Sequence, residues 1–319
     1  MKKNITDSIQ FGEGNFLRAF VDYCIQILND KTFFSGKVNI IQPLPEGMIE
    51  QLKIQNGKYN LFHEGIIQGK IIRDRMQINC VTQMNNPYQE FDQFLELAKN
   101  ENLTFVFSNT TEAGIVLNTK DQFTDKPPRS FPGKLTRLLH HRYKTFNGDP
   151  SKVLHIIPSE LIEHNGTKLK KIILELSKIW ELEDHFISWI NQNHFYNTLV
   201  DRIVPGFPKK DLDFYKKKLS FDDQLIVTCE PFFLWVIEGN PELIKIFPVD
   251  QLEEIDVKVV PDLSIFRTRK VRILNGSHTT MVPVGLLHGT NTVSDILKND
   301  FLKTFLSQTL FDEIIPSID

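Results

Sequence analysis

Gly12-Glu13-Gly14, set between a short apolar run and an amphipathic stretch, constrains this chain more than any other feature. Residues Ser8 to Phe11 alternate as a strand does, and Phe16 through Leu28 carry apolar side chains at helical spacing. A strand that enters a glycine turn and leaves as a helix opens a parallel βαβ unit. A second buried strand at Val38 to Gln42, closed by Pro43 and Pro45, completes it. Such a turn is where a doubly wound sheet holds a pyrophosphate, because glycine lets the backbone approach and the helix N-terminus offers unpaired N–H groups. Two positions depart from the usual fingerprint: Leu17 stands for the third glycine, and Gln42 ends the second strand where an acid is expected. The pattern by itself admits both a dinucleotide site and a plain tight turn. Gln42 can bond a ribose hydroxyl, and no Arg follows closely to neutralise a 2′-phosphate, which favours NAD over NADP.

The rhythm then breaks. Tyr59 to Ile67 and Lys70 to Cys80 read as two strands joined around Gly69, an antiparallel hairpin insertion with one wet face. After a helix near Tyr88 to Asn100, the strand-like run Leu103 to Phe107 ends in the small polar string Ser108-Asn109-Thr110-Thr111-Glu112-Ala113-Gly114. Pro127, Pro128, Pro132 and Gly133 mark a loop, followed by a helix from Lys134, a turn at Asn147 to Pro150 and a strand at Val153 to Ile157. Helices around Lys168 to Ile179 and His185 to His194 lead through Pro205 and Pro208 to strands at Leu225 to Thr228 and Val257 to Val260. Beyond Pro261 the pattern is helical. The reading is α/β: an expanded Rossmann-type doubly wound sheet over residues 1–259, then a mostly helical second domain beginning at 260–319.

Charge narrows the partners. With 37 Lys plus Arg against 40 Asp plus Glu the net charge is -3, so no global positive field condenses on nucleic acid or anionic lipid. The Lys-rich stretch 207–218 reads as a solvated face. Cys24, Cys80 and Cys229 are odd in number and far apart, which argues against disulfides or a zinc cluster and for a reducing cytosol, with Cys229 as a buried small hydrophobe. The N-terminus has no apolar signal region and no apolar run reaches about 18 residues, so the expectation is a chain that neither crosses nor enters a membrane. His140 and His141 are neighbours that point about 100° apart on a helix and read as surface residues; no metal is expected. HExxH, CxxC, P-loop and GxSxG strings are missing. The expected partner is a small molecule.

A second candidate lies in residues 269–279. If that segment is helical at about 100° per residue, Lys270, Asn275 and His278 fall within an arc of roughly 140°. An amine, an amide and an imidazole on one face suit hydride transfer to a carbonyl: one group protonates the oxygen and another stabilises the developing alkoxide. The same spacing also describes an ordinary polar helix face.

These pieces occur in the order of the polyol-specific long-chain dehydrogenases, the family of the mannitol dehydrogenases. Gly12 to Arg18 resembles that family's GxGxFxR turn, and Phe107 to Ile115 resembles its strand-four motif ending in T-E-x-G. Asn165-Gly166 after Ser159 to His164 resembles its N-L-x-x-N-G element, and Asn197 to Pro205 its N-x-M-V-D-R-I-T-P string. Glu230-Pro231-Phe232 with Trp235 to Ile237 resembles a further block, and Lys270, Asn275 and His278 fall on K-x4-N-x2-H. The resemblance runs along the whole chain. It implies an NAD enzyme in which Gly12, Gly14, Asn15, Phe16, Gln42, Ser108, Asn109 and Thr110 hold the cofactor. It implies Lys270 as the general acid/base, Asn275 and Asn165 as donors to the reacting oxygen, and His278 as the group that orients the substrate. Asp201-Arg202 reads first as a pair that stabilises structure and second as a substrate contact, Arg202 offering a cation to a hexuronate. The wording is most similar to the hexuronate-reducing branch, which implies reversible reduction of tagaturonate to altronate. The runners-up are fructuronate reduction and mannitol-type polyol oxidation; a catalytically incomplete nucleotide-binding fragment is the alternative of another class. Residues 311–319 resemble an internal segment of the relatives, so the second domain reads as truncated or naturally short.

Overall fold

The first strand, β1 (Asn4–Phe11), is buried at every residue from Thr6 to Phe11, as the centre of a parallel sheet covered on both faces demands. In the computed structural model, residues 4–318 are described apart from 68, 69, 112 and 211. They fall into two units, Met1–Pro261 and Asp262–Asp319, each described by itself.

From β1 the chain passes through α1 (Asn15–Lys31) to β2 (Phe34–Ile41) and α2 (Ile49–Ile54). The hairpin β3 (Tyr59–Ile67) and β4 (Lys70–Ile78) follows, then β5 (Val81–Asn85), α3 (Phe91–Glu96) and β6 (Leu103–Ser108). Next come α4 (Phe131–Thr145), β7 (His155–Pro158), α5 (Asn165–Ile179), α6 (Asp184–Gln192), β8 (His194–Phe195) and β9 (Asn197–Asp201). The unit closes with α7 (Leu212–Lys216), β10 (Val227–Cys229), β11 (Leu234–Glu238) and β12 (Asp256–Val260).

The main sheet has the order β5-β2-β1-β6-β7-β8 and is parallel throughout. This is the doubly wound Rossmann-type order: the chain winds outward from β1 through β2 to β5, returns to β6 on the other side of β1, and winds outward again. Strand alternation divides the core. Val38, Ile40, Phe105 and Phe107 point into one cluster with Phe20, Cys24 and Leu28 of α1, and Ile9, Phe11, Val106 and Ile156 into the other with Leu135, Leu138 and Ile173 of α4 and α5.

The insertion is larger than the sequence reading has it. β3 and β4 pair antiparallel from Tyr59↔Ile78 to Ile67↔Lys70, and β10 adds to β3 in parallel, making a three-stranded sheet. Its joint around Gly69 lies outside the described residues. The second strand of the hairpin ends two residues earlier than Cys80, because β4 stops at Ile78 and the chain at Val81 enters β5, beside β2. A third sheet, β12-β11-β9, contains two strands that the pattern leaves unassigned. Each has five residues, too few for periodicity to register, and each is fixed by partners distant in sequence.

Asp22 of α1 carries a pH-dependent charge inside this core. It is fully buried, accepts from the Tyr59 hydroxyl at 2.7 Å, and burial pushes its carboxyl up to about 7 from 3.8. The folded form therefore keeps a proton that the unfolded chain releases near 4. Its contribution to stability is fully present below about pH 4 and is lost as pH rises through about 7. Urea unfolding of the wild type is expected to weaken across that window. Asp22→Asn should flatten the slope, and an equal slope in the variant would remove Asp22 as its source.

The second unit is helical: α8 (Ser264–Thr268), a π-helical stretch Arg269–Asn275, α9 (Gly276–Leu287), α10 (Val293–Lys298) and α11 (Asp300–Gln308), then further helical turns to Ser317. Met281, Ile296, Leu302 and Leu306 form its core, and Thr292 and Asn299 cap α10 and α11 through side-chain oxygens.

Candidate functional site

Gly12 takes φ +126°, a conformation that strains any side chain, and donates its N–H to Ile41 O at 3.0 Å. A Cβ there would stand 3.0 Å from Leu17 Cδ1 and 3.2 Å from Asn109 O. Leu17, at the place of the fingerprint's third glycine, is the packing partner that closes α1 onto the turn. Gly14 is the N-cap of α1, exposed, with open space where a Cβ would sit. Among the described residues no side chain caps this end, and the first turn of α1 holds no acid. The N-terminus of a 17-residue helix therefore keeps its opening N–H groups free of side-chain caps at the switch between β1 and β6, where this strand order places its crevice.

Buried polar groups hold the turn in shape. The Arg18 guanidinium donates to Glu13 O at 3.0 Å, Leu225 O at 2.6 Å and Asn15 Oδ1 at 2.7 Å. Asn15 therefore faces Arg18 and packs on Gly206, where a Cβ would overlap it; Phe16 stacks on Phe20 at 4.9 Å. Gln42 is buried at the end of β2, its Nε2 donating to Leu44 O at 2.9 Å and Pro45 O at 3.0 Å.

Across the switch, Asn109 N–H donates to Phe11 O at 3.2 Å. Ser108, Asn109 and Thr110 are organised by a residue the sequence reading assigned no role, Glu160. Its buried carboxylate accepts from Ser108 Oγ at 3.0 Å, Thr110 N at 3.0 Å and Thr110 Oγ1 at 2.9 Å. Burial pushes this carboxyl up and the bonds from Thr110 and Ser108 hold it back. Asn109 Nδ2 donates to Ser159 O at 2.7 Å beside it. The available signal was an acid just after Pro158, at the polar end of a buried strand. Glu112, the acid of the T-E-x-G string, lies outside the described residues.

Asn165 opens α5 and is fully buried. Its Nδ2 stands 3.2, 3.1 and 3.0 Å from Pro158 O, Glu160 O and Thr198 Oγ1, and its Oδ1 accepts from Gly166 N and Thr198 N at 2.9 Å. In this arrangement the amide ties the Glu160 loop to β9. Arg202 is turned into the protein as well. It donates to Glu230 O through Nε at 3.1 Å and Nη2 at 2.9 Å, and to Ala19 O at 2.6 Å, with its guanidinium 4.6 Å from the Tyr23 ring centroid. These surroundings support a structural role for Arg202, since the fork that would clamp a carboxylate is occupied by backbone. Asp201, half-buried, ends β9 opposite Leu234. Arg202→Met is expected to cost about 3 kcal/mol by leaving buried carbonyls unpaired. A urea midpoint unchanged from wild type, with a raised KM for a sugar acid, would return Arg202 to the substrate.

In the second unit Lys270 is half-buried, Asn275 and His278 exposed. The segment departs from the regular helix assumed from spacing. Arg269–Asn275 is π-helical, and the Gly276 N–H reaches Val271 O five residues back. With i→i+5 closure, Asn275 follows Lys270 by one turn, and His278 is i+3 from Asn275 on the α-helix that continues. At that pitch the three positions follow one another by about one turn each, a different winding from the regular helix, and such inserted turns recur at functional sites.

His140 and His141 are half-buried rather than surface residues; His140 bonds Glu183 at 3.0 Å with its ring 5.0 Å from that of Phe186. Among the described residues no group of three His, Cys, Asp or Glu could hold a metal, and no helix is long and apolar enough to cross a membrane.

Residues 6–248 match the mannitol dehydrogenase Rossmann domain, and residues 262–319 the mannitol dehydrogenase C-terminal domain. The chain is 45% identical over 309 residues to an altronate oxidoreductase of Bacillus subtilis, covering 97% of this chain and 64% of that protein. It is 43% identical over 312 residues to one of Bacteroides thetaiotaomicron, covering 98% and 65%. The chain therefore spans just under two thirds of the length of these relatives. Among solved structures, a D-sorbitol dehydrogenase superposes with TM-score 0.82 at 21% identity, over 99% of this chain and 68% of that one. A Pseudomonas fluorescens mannitol 2-dehydrogenase, solved with NAD and D-mannitol, superposes with TM-score 0.76 at 19% identity, over 99% and 67%. At those identities the likeness is one of fold.

Proposed function

The chain belongs to the mannitol dehydrogenase family, and from that premise we propose that it is an NAD-dependent oxidoreductase interconverting tagaturonate and altronate. The observation that carries the substrate class is identity above 40% to altronate oxidoreductases along almost the whole chain, against 21% and 19% to the superposed sorbitol and mannitol dehydrogenases.

The turn fits the cofactor. Gly14 leaves open space where a Cβ would stand, above a helix end with neither cap nor first-turn acid. When bound, the nicotinamide supplies and accepts the hydride. The chain's own residues bind and position. The N–H groups opening α1 take the pyrophosphate, with Gly12 and Gly14 admitting it, and Asn15 and Phe16 shape the turn. Ser108, Asn109 and Thr110, held by Glu160, form the wall after β6. Lys270 gives a proton to the substrate oxygen in reduction and takes it back in oxidation. Asn275 donates a hydrogen bond to that oxygen and His278 orients the neighbouring hydroxyl. Asn165 contributes by holding the Glu160 loop.

NADH oxidation followed with tagaturonate, fructuronate and fructose tests the assignment. Turnover highest on tagaturonate is expected. Preference for fructuronate or fructose would move the chain to another branch, and NADH binding without turnover on all three would make it a nucleotide-binding chain that lacks the reaction.

A further inference from the structure

The end of β2 raises a question that the glycine turn leaves open, because the residue that ordinarily meets the adenosine ribose there is an acid and here it is Gln42. Gln42 cannot act as a donor to a ribose. Both hydrogens of its amide are directed at Leu44 O and Pro45 O, which leaves Oε1 as its available atom. A carboxylate nonetheless reaches this spot from the glycine turn after β1. Glu13, between the two turn glycines, is buried, and its Oε1 accepts from Met48 N–H at 3.4 Å. A Cβ built on Gly47 would overlap both Glu13 Oε1 and the Gln42 amide, so the carboxylate and the amide oxygen lie side by side under that glycine.

We infer that Glu13 selects the cofactor: with Gln42 Oε1 it offers the adenosine ribose acceptors only, a surface that suits two free hydroxyls and repels a 2′-phosphate. This rests on the dinucleotide reading above. Hydroxyls are donors and match a carboxylate and an amide oxygen, whereas a phosphate is an acceptor carrying added negative charge and needs a cation. Residues 42–48, Gln-Pro-Leu-Pro-Glu-Gly-Met, contain no Lys or Arg and add Glu46. The cation near Glu13, Arg18, is buried, with its guanidinium bonded to Glu13 O, Leu225 O and Asn15 Oδ1. The acid missing from β2 is thus replaced by one from the turn itself.

Fluorescence titration of the whole chain with NADH and with NADPH tests this. The wild type is expected to bind NADH about a hundredfold more tightly, and Glu13→Gln, which keeps the shape and an acceptor for Met48 N–H, to reduce that ratio by about tenfold, chiefly through tighter NADPH. Leu44→Arg, at an exposed position, gives a second arm that does not disturb the buried cluster and should also favour NADPH. An unchanged ratio in folded Glu13→Gln, or in Leu44→Arg if the first variant does not fold, overturns the inference and leaves the dinucleotide reading standing. Failure of the wild type to bind either cofactor overturns that reading instead.

Discussion

Lys270→Ala is expected to lower turnover by about 10²- to 10⁴-fold, the usual worth of a positioned acid/base, while NADH affinity stays at the wild-type level. Reduction of a ketone leaves charge on oxygen that a proton must quench, and in the proposed assignment Lys270 Nζ is its source. Lys270 sits in the π-helical stretch with Asn275 one turn further on, so the loss should come from the missing amine and not from a changed backbone. Added methylamine distinguishes the two. Partial rescue by a free amine is expected if Lys270 transfers a proton, whereas a purely structural lysine gives none. Near-normal turnover in Lys270→Ala, measured by NADH oxidation, would refute the assignment.

Gly14→Asp should move stability and binding in opposite directions. Asp is a preferred N-cap, the backbone there is already extended at φ -65° and ψ 164°, and the new side chain enters open space. The variant should gain about 0.3–1 kcal/mol from a cap and a charge that complements the helix dipole. The same carboxylate would occupy the N–H groups and oppose a pyrophosphate. Two charges ~4 Å apart near a protein surface interact by about 4 kcal/mol, which after partial screening corresponds to a loss of about 10²- to 10³-fold in NADH affinity. Urea unfolding and NADH titration on one preparation check both signs. Unaltered NADH binding in a variant that is stabilised would mean that this helix end is not the pyrophosphate site.

What was legible in the sequence follows from what is local. β1, the turn and α1 could be read because Gly12 needs a backbone that glycine alone adopts easily and because the helix repeats its apolar face. The hairpin β3–β4 was legible for the same reason, since its two strands are adjacent in sequence and one face alternates. β9 and β11 were not, because so short a run carries little period and the two pair with each other across more than thirty positions of chain. Glu160 escaped notice because its role arises from the pairing of β6 with β7, which sets Pro158 opposite Ser108 and brings its carboxylate beneath Thr110. Arg202 and Asn165 were recognisable as motif residues, yet where a buried polar side chain directs its bonds depends on chain brought from elsewhere: Ala19 for the first, Thr198 for the second. The winding at 269–275 was hidden for a different reason, since the same residue spacing fits α and π closure.

A crystal structure of the chain with NAD bound is the decisive measurement. The pyrophosphate is expected against the N–H groups that open α1, with Gly14 facing it and the adenosine ribose hydroxyls on Glu13 and Gln42. A dinucleotide seated away from the β1–β6 switch, or none at saturating NAD, would contradict it.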